Sequence, residues 1–274
     1  MSDAQAPALE RPAPPPAPAA AAAPGSRTLR AVVLAGGRGT RLAPYTTVLP
    51  KPLVPVGGVP ILETVLRQLR FHGVHEAVLA VGYLSPLIRA YLDENPISSR
   101  MRIRYHQERE PLGTAGALAS IAGLDDDFVA MNGDLLTTLD YADLVRAHRA
   151  RGAALTIAVT ERRVQVEVGV LEIGADDAVL GLAEKPVHVY QASMGIYAVS
   201  PRAQQRHMVP GEPLDMPALA ARLLAAGERV HAYRSGAFWL DMGNPSDYAR
   251  ASEAFERDRA AFLRDEAAAP DAPH

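Results

Sequence analysis

A chain of 274 residues with a formal charge of -3 is long enough to fold as one α/β domain with a sizeable core, and it lacks the basic excess that general nucleic-acid binding requires. The absence of cysteine removes disulfides and thiolate metal sites and fits a cytoplasmic protein. No apolar run approaches the roughly 18 to 20 residues that span a bilayer, so neither a membrane nor a nucleic acid is expected as a partner.

Residues 1–29 are rich in Ala and Pro, with APPPAPAAAAAPG at their centre. They lack a charged start and an uninterrupted apolar stretch, so they are expected to form a solvated tail rather than a secretory signal. Residues 266–274 read the same way, which leaves 30–265 as the folded domain. The run 31–34 is apolar and reads as a buried strand, and Gly36, Gly37 and Gly39 follow it at once. Such a turn lets backbone N–H groups approach an anion. Two cations come next, Arg41 in the loop and Lys51 between Pro50 and Pro52, which is the order a polyphosphate site needs. No Gly-Lys-Ser/Thr closes the loop, so it is not a Walker loop. It is a poor dinucleotide fingerprint as well, because Leu42 stands where the third glycine belongs. Pro44, Pro50 and Pro52 forbid a regular helix there.

Leu62, Val65, Leu66 and Leu69 have helical spacing over 61–71, with Gly73 placed to stop the helix. His72 and His75 flank that glycine and are not expected to share a metal. Residues 76–81 read as a strand. Ser85 and Pro86 read as the N-cap and first-turn proline of a helix through Leu92, and 101–106 as the next strand. Strands alternating with helices imply a mostly parallel sheet covered on both faces, with ligands beyond the carboxyl ends of its strands. Gly113 and Gly116 bracket a helix start within 108–118. The strand 127–131 runs into Asn132, Gly133 and Asp134, placing a carboxylate at the ligand crevice. Mg²⁺ takes one or two carboxylates plus phosphate oxygens and water, so one such Asp is half of a site. A helix over 139–151 entered through Asp140 and a strand over 153–160 come next. Strands at 166–173 and 178–184, joined without room for a helix, form a β insert ending in Glu184-Lys185-Pro186. The run 193–200 is a strand, 215–226 a helix capped by Asp215, and 230–233 and 237–240 are strands, the second delivering Asp241. A helix from Asn244 and Pro245 to Arg264 is expected to pack Tyr248, Phe255 and Phe262 on the domain.

The run GGRGTRLAPYTTVLPKPLVPVGGVPI resembles the signature of the nucleoside-diphosphate-sugar pyrophosphorylases, the sugar-1-phosphate nucleotidyltransferases. The resemblance spans roughly residues 30 to 250, through EREPLGTAGAL, NGD, VGVLE, EKP, SMGIY and WLDMGNPSDY. It implies a Rossmann-like three-layer sandwich with a mixed, mostly parallel sheet and a small β insert. The implied reaction is Mg²⁺-dependent: a sugar 1-phosphate plus an NTP gives NDP-sugar and pyrophosphate. Carried over by motif, Leu34, Ala35, Gly36, Gly37, Gly39, Thr40, Arg41 and Lys51 bind the nucleotide, with Glu108, Gly113 and Thr114 against its base. Asp134 and Asp241 hold the metal and complete a catalytic set with Arg41 and Lys51. Gly169, Glu184, Lys185 and Gly195 belong to the sugar-phosphate half, an assignment that rests on the resemblance alone. EREPLGTAGAL looks more like the loop of the guanylyltransferases than that of the thymidylyl enzymes, which implies GTP. The alternatives are thymidylyl or uridylyl transfer and an inactive nucleotide-binding homologue, while the missing third glycine disfavours a dehydrogenase. Relatives of this kind are often dimers or tetramers, so a homo-oligomer is implied.

Overall fold

The computed structural model describes residues 29–37, 39–42, 45–82, 84–108 and 110–264. The tails expected at 1–29 and 266–274 lie outside these residues, apart from Leu29, which already belongs to the first strand, β1 (Leu29–Ala35). Beyond β1 the glycine loop leads to a small ribbon, β2 (Pro55–Val56) and β3 (Val59–Pro60), and then to α1 (Ile61–Phe71), whose Leu62, Val65, Leu66 and Leu69 are buried as their spacing requires. The alternation continues with β4 (Val74–Val81), α2 (Ser85–Asp93), the one-turn α3 (Ile97–Arg100), β5 (Arg102–Gln107), α4 (Gly113–Ala119) and β6 (Phe128–Asn132). Next come β7 (Leu135–Thr137), α5 (Tyr141–Ala150), β8 (Leu155–Gln165), β9 (Val170–Ile173), β10 (Val179–Ala183) and β11 (Val187–Val199). The chain closes with α6 (Pro201–His207), α7 (Met216–Ala225), β12 (Val230–Arg234), β13 (Trp239–Asp241), α8 (Pro245–Arg257) and α9 (Arg259–Phe262).

Seven strands form one sheet in the order β12-β8-β11-β6-β1-β4-β5. Every neighbouring pair is parallel except those of β11, which runs antiparallel to β6 and to β8. Successive residues of β1 point to opposite faces, so Ala31 and Val33 enter the core shared with α1, α5 and α8, while Val32 enters the core shared with α4, α6 and α7. This is the mixed, mostly parallel three-layer α/β architecture expected from the sequence. No helix among the described residues is long and apolar enough to cross a membrane.

Four local expectations need correction. Ser85 is not a cap: Leu84, in the left-handed region, holds the N-cap position, and Ser85 Oγ donates to Gln107 Oε1 at 2.8 Å. Asp215 does hold the cap position of α7, but its Oδ1 accepts from the Thr114 backbone N–H at 3.1 Å and so joins α7 to α4. The helix expected to reach Arg264 breaks at Asp258, whose side chain caps a separate α9, although Phe255 and Phe262 are buried as expected. The largest difference is in the β insert. Strand β8 runs on to Gln165 and β11 begins at Val187, so a long two-stranded ribbon carries β9 and β10 beyond the edge of the core. Its Glu161, Arg162, Arg163 and Gln191 are solvated, and a strand exposed on both faces lacks the apolar alternation that marks one in sequence.

Candidate active site

The site is built at the carboxyl end of β1. Gly39 has φ +63°, and a Cβ there would lie 2.9 Å from Thr46 Cγ2 and 3.0 Å from Lys51 Cβ. Only glycine lets the loop close on the segment that carries Lys51. Thr46 Oγ1 secures the closure by donating to the Gly39 carbonyl at 2.7 Å. Short 3₁₀ turns at Thr40–Leu42, Tyr45–Thr47 and Lys51–Leu53 replace the helix that the prolines forbid. They leave Arg41 exposed at the mouth and Lys51 buried beneath it.

Two carboxylates meet these cations. After β6 the Gly133 N–H donates to the Leu34 carbonyl at 2.9 Å, which ties this turn to the end of β1. Asp134 follows, immediately before β7. Strand β7 pairs antiparallel with β13, Leu135 opposite Asp241, and the Met242 N–H donates to the Asp134 carbonyl at 3.2 Å. This pairing brings together two acids that are remote in sequence. Lys51 Nζ contacts Asp134 Oδ2 directly. Asp241 Oδ1 is buried without a hydrogen-bond partner among the described residues. Burial raises the Asp241 pKa and the charge of Asp134 raises it further, while Lys51 and Arg41 act in the opposite direction. Gly243 borders the space between these groups: a Cβ there would make ordinary contact, 3.4 Å from Asp241 Oδ1 and 3.6 Å from Arg41 Nη1.

The four residues suit a divalent cation bound with a phosphate better than a closed protein cage. Two carboxylates share the site and one buried oxygen is unpartnered, yet no group of three or more His, Cys, Asp or Glu suited to a metal occurs among the described residues. A cation taking two carboxylates plus phosphate oxygens and water is of the Mg²⁺ type.

Glu108 stands at the end of β5 with its carboxylate over the glycine loop. A Cβ on Gly36 would lie 2.9 Å from Glu108 Oε2, and burial raises the Glu108 pKa. Its side chain makes no hydrogen bond or ion pair within the described residues. Gly113 and Thr114 are otherwise engaged: Gly113 packs on Leu214 and Asp215, and Thr114 Oγ1 accepts from the Met216 N–H at 2.9 Å. Of the residues expected in the sugar-phosphate half, Gly195 on β11 lies against Asn132 at the end of β6. Gly169 and Glu184 adjoin each other, but they and Lys185 are exposed on the ribbon. Asn132 and Trp239 had drawn no role from sequence. Trp239 Nε1 donates to the Met194 carbonyl at 2.7 Å and fixes β11 beside β13. Both lie inside the quoted motifs, which was the only signal for them.

Comparison with known proteins gives a consistent set of matches. A family model described as nucleotidyl transferase matches residues 30–258. The probable mannose-1-phosphate guanylyltransferase 1 of Oryza sativa subsp. japonica is 33% identical over 228 residues, covering 80% of this chain and 63% of that protein. The mannose-1-phosphate guanylyltransferase of Mycobacterium tuberculosis is 32% identical over 231 residues, covering 81% and 63%. The chain thus spans about 63% of the length of these curated relatives. Among solved structures, HddC from Yersinia pseudotuberculosis is 28% identical with a TM-score of 0.63, covering 83% of this chain and all of that one, and the same protein complexed with GMP-PN gives 0.61.

Proposed function

The chain belongs to the nucleotidyl transferase family, and on that premise we propose that it transfers a nucleotidyl group from an NTP, with GTP preferred, to a sugar 1-phosphate and releases pyrophosphate. The observation that carries this reading is the meeting of Arg41, Lys51, Asp134 and Asp241 at the glycine loop. In the proposed reaction the loop N–H groups hold the triphosphate, and a sugar-phosphate oxygen attacks the α-phosphorus in line with the departing pyrophosphate. Arg41 and Lys51 neutralise the charge that develops on the leaving group, and Lys185 at the ribbon holds the attacking phosphate. No protein nucleophile is needed, so catalysis reduces to positioning and charge neutralisation. Asp134 and Asp241 would hold Mg²⁺, which when bound offsets charge on the α-phosphate.

Guanine is favoured by Glu108 as well as by the names of the relatives. An ionised carboxylate only accepts hydrogen bonds, and guanine alone among the bases presents two adjacent donors, N1–H and the N2 amino group, on its pairing edge. Thymine and uracil would turn carbonyl oxygens toward it. The Glu108 carboxylate is already drawn over the glycine loop, and a mismatched buried charge costs roughly 1.5 to 3 kcal/mol, or about 10 to 10² in specificity. Turnover measured across GTP, ATP, CTP, UTP and dTTP should therefore rank GTP first. Glu108→Gln should erode the GTP over dTTP preference more than it lowers kcat; a wild-type enzyme that prefers dTTP or UTP would refute the assignment. Mannose 1-phosphate stands first in the panel of acceptors, followed by glucose, heptose and cyclitol phosphates.

A further inference from the structure

We propose that Ser85 and Gln107 form a brace holding Glu108 over the glycine loop and so act as positioning residues for base selection, which rests on Glu108 being the carboxylate that meets the base. Glu108 follows directly on β5, an edge strand whose only neighbour in the sheet is β4. Its backbone N–H donates to the Val81 carbonyl at 2.9 Å, but its side chain has no hydrogen bond or ion pair among the described residues. A carboxylate so placed is oriented only by the backbone that carries it, and a looseness of about 1 Å in a binding group degrades recognition.

The residues beside it close that backbone into a ring. The Gly82 carbonyl, just past β4, accepts from the Ser85 N–H and from Gln107 Nε2, each at 3.3 Å. Ser85 Oγ donates in turn to Gln107 Oε1 at 2.8 Å. The orientation of the amide is fixed, because a carbonyl only accepts: Nε2 must face Gly82, which leaves Oε1 for the hydroxyl. Gln107 Nε2 also reaches the Glu108 carbonyl at 3.5 Å, the long limit of a hydrogen bond. Gly82 lies on the glycine loop, where a Cβ would come 3.0 Å from the Gly36 carbonyl, and Gly36 in turn lies against Glu108 Oε2. Ser85, Gln107, Gly82, Gly36 and Glu108 are thus one contiguous set. Two features separate the brace from ordinary helix capping. Ser85 is only 7% exposed, and its hydroxyl serves β5 although the start of α2 has no side-chain cap. Leu84 holds φ 59°, a left-handed conformation that a leucine adopts at a cost, in the turn that delivers Ser85 toward Gln107.

Titration calorimetry of the full chain with GTP and with dTTP, in a buffer containing Mg²⁺, tests the proposal without need of an acceptor. Glu108→Gln supplies the reference loss of GTP preference. Ser85→Ala and Gln107→Ala should each raise the GTP Kd by about 3- to 10-fold, the strength of one hydrogen bond, and leave the dTTP Kd unchanged or lower. Gln107 is exposed, so its replacement leaves the core intact. In a Glu108→Gln background, Ser85→Ala should take nothing further from the GTP over dTTP ratio. Equal weakening of GTP and dTTP, or a further loss of the ratio in the double variant, would show a merely structural role and overturn the brace. So would an intact GTP preference in Ser85→Ala and Gln107→Ala where Glu108→Gln loses it. A wild type that binds dTTP as tightly as GTP, or a Glu108→Gln variant that keeps the GTP preference, overturns the base reading itself and the brace with it.

Discussion

Asp241→Asn should lower kcat by at least about 10² without loss of the fold, as expected when charge stabilisation at a reacting phosphate is removed. The same substitution should raise the melting temperature of the free protein at neutral pH. Burial and the neighbouring Asp134 raise the Asp241 pKa in the folded state. The folded protein therefore holds this proton more tightly than the unfolded chain, and ionising Asp241 costs stability as pH rises through its folded pKa. An amide removes that cost and keeps the shape. Loss of turnover together with gain of stability distinguishes a functional carboxylate from a structural one. Near-normal turnover in Asp241→Asn would contradict the two-carboxylate site.

Lys51→Met should be the second severe lesion. Lys51 is only 8% exposed, lies against Asp134 and is fixed by the closure of Gly39 on its stem. Its loss should lower kcat/KM for the NTP by roughly 10² to 10³, because a placed cation at the leaving pyrophosphate cannot be replaced by water. It should also destabilise the free protein by on the order of 1 to 2 kcal/mol, the cost of leaving the partly buried Asp134 carboxylate without its charged partner. Combining Lys51→Met with Asp134→Asn should recover most of that stability and none of the activity. Thermal melts in which the two losses simply add would show that the pair is not coupled as described.

What was legible in the sequence divides along physical lines. The core strands and α1 announce themselves through apolar runs and helical spacing, because burial selects the side chains on the inward face. The glycine turn after β1 and its two cations were visible as residue types, but a glycine triplet alone reads equally as a plain turn, and the anion-site reading leaned on the longer family pattern. The pairing of Asp134 with Asp241 could not be read, since it depends on β7 meeting β13 across a long separation in sequence. Only the family resemblance joined them beforehand. The length of the β8–β11 ribbon was hidden for the opposite reason: both faces are solvated, so no pattern marks them. Asp215 shows how a cap signal misleads, for its carboxylate satisfies the Thr114 N–H of α4 rather than the start of α7.

The most direct test is pyrophosphate release from GTP, measured with and without Mg²⁺ and with and without each sugar 1-phosphate. Release should require both the cation and an acceptor, with one nucleotide sugar formed for each pyrophosphate. Nucleotide binding without release for every acceptor and every NTP, or release that proceeds with no sugar 1-phosphate present, would contradict the proposed reaction.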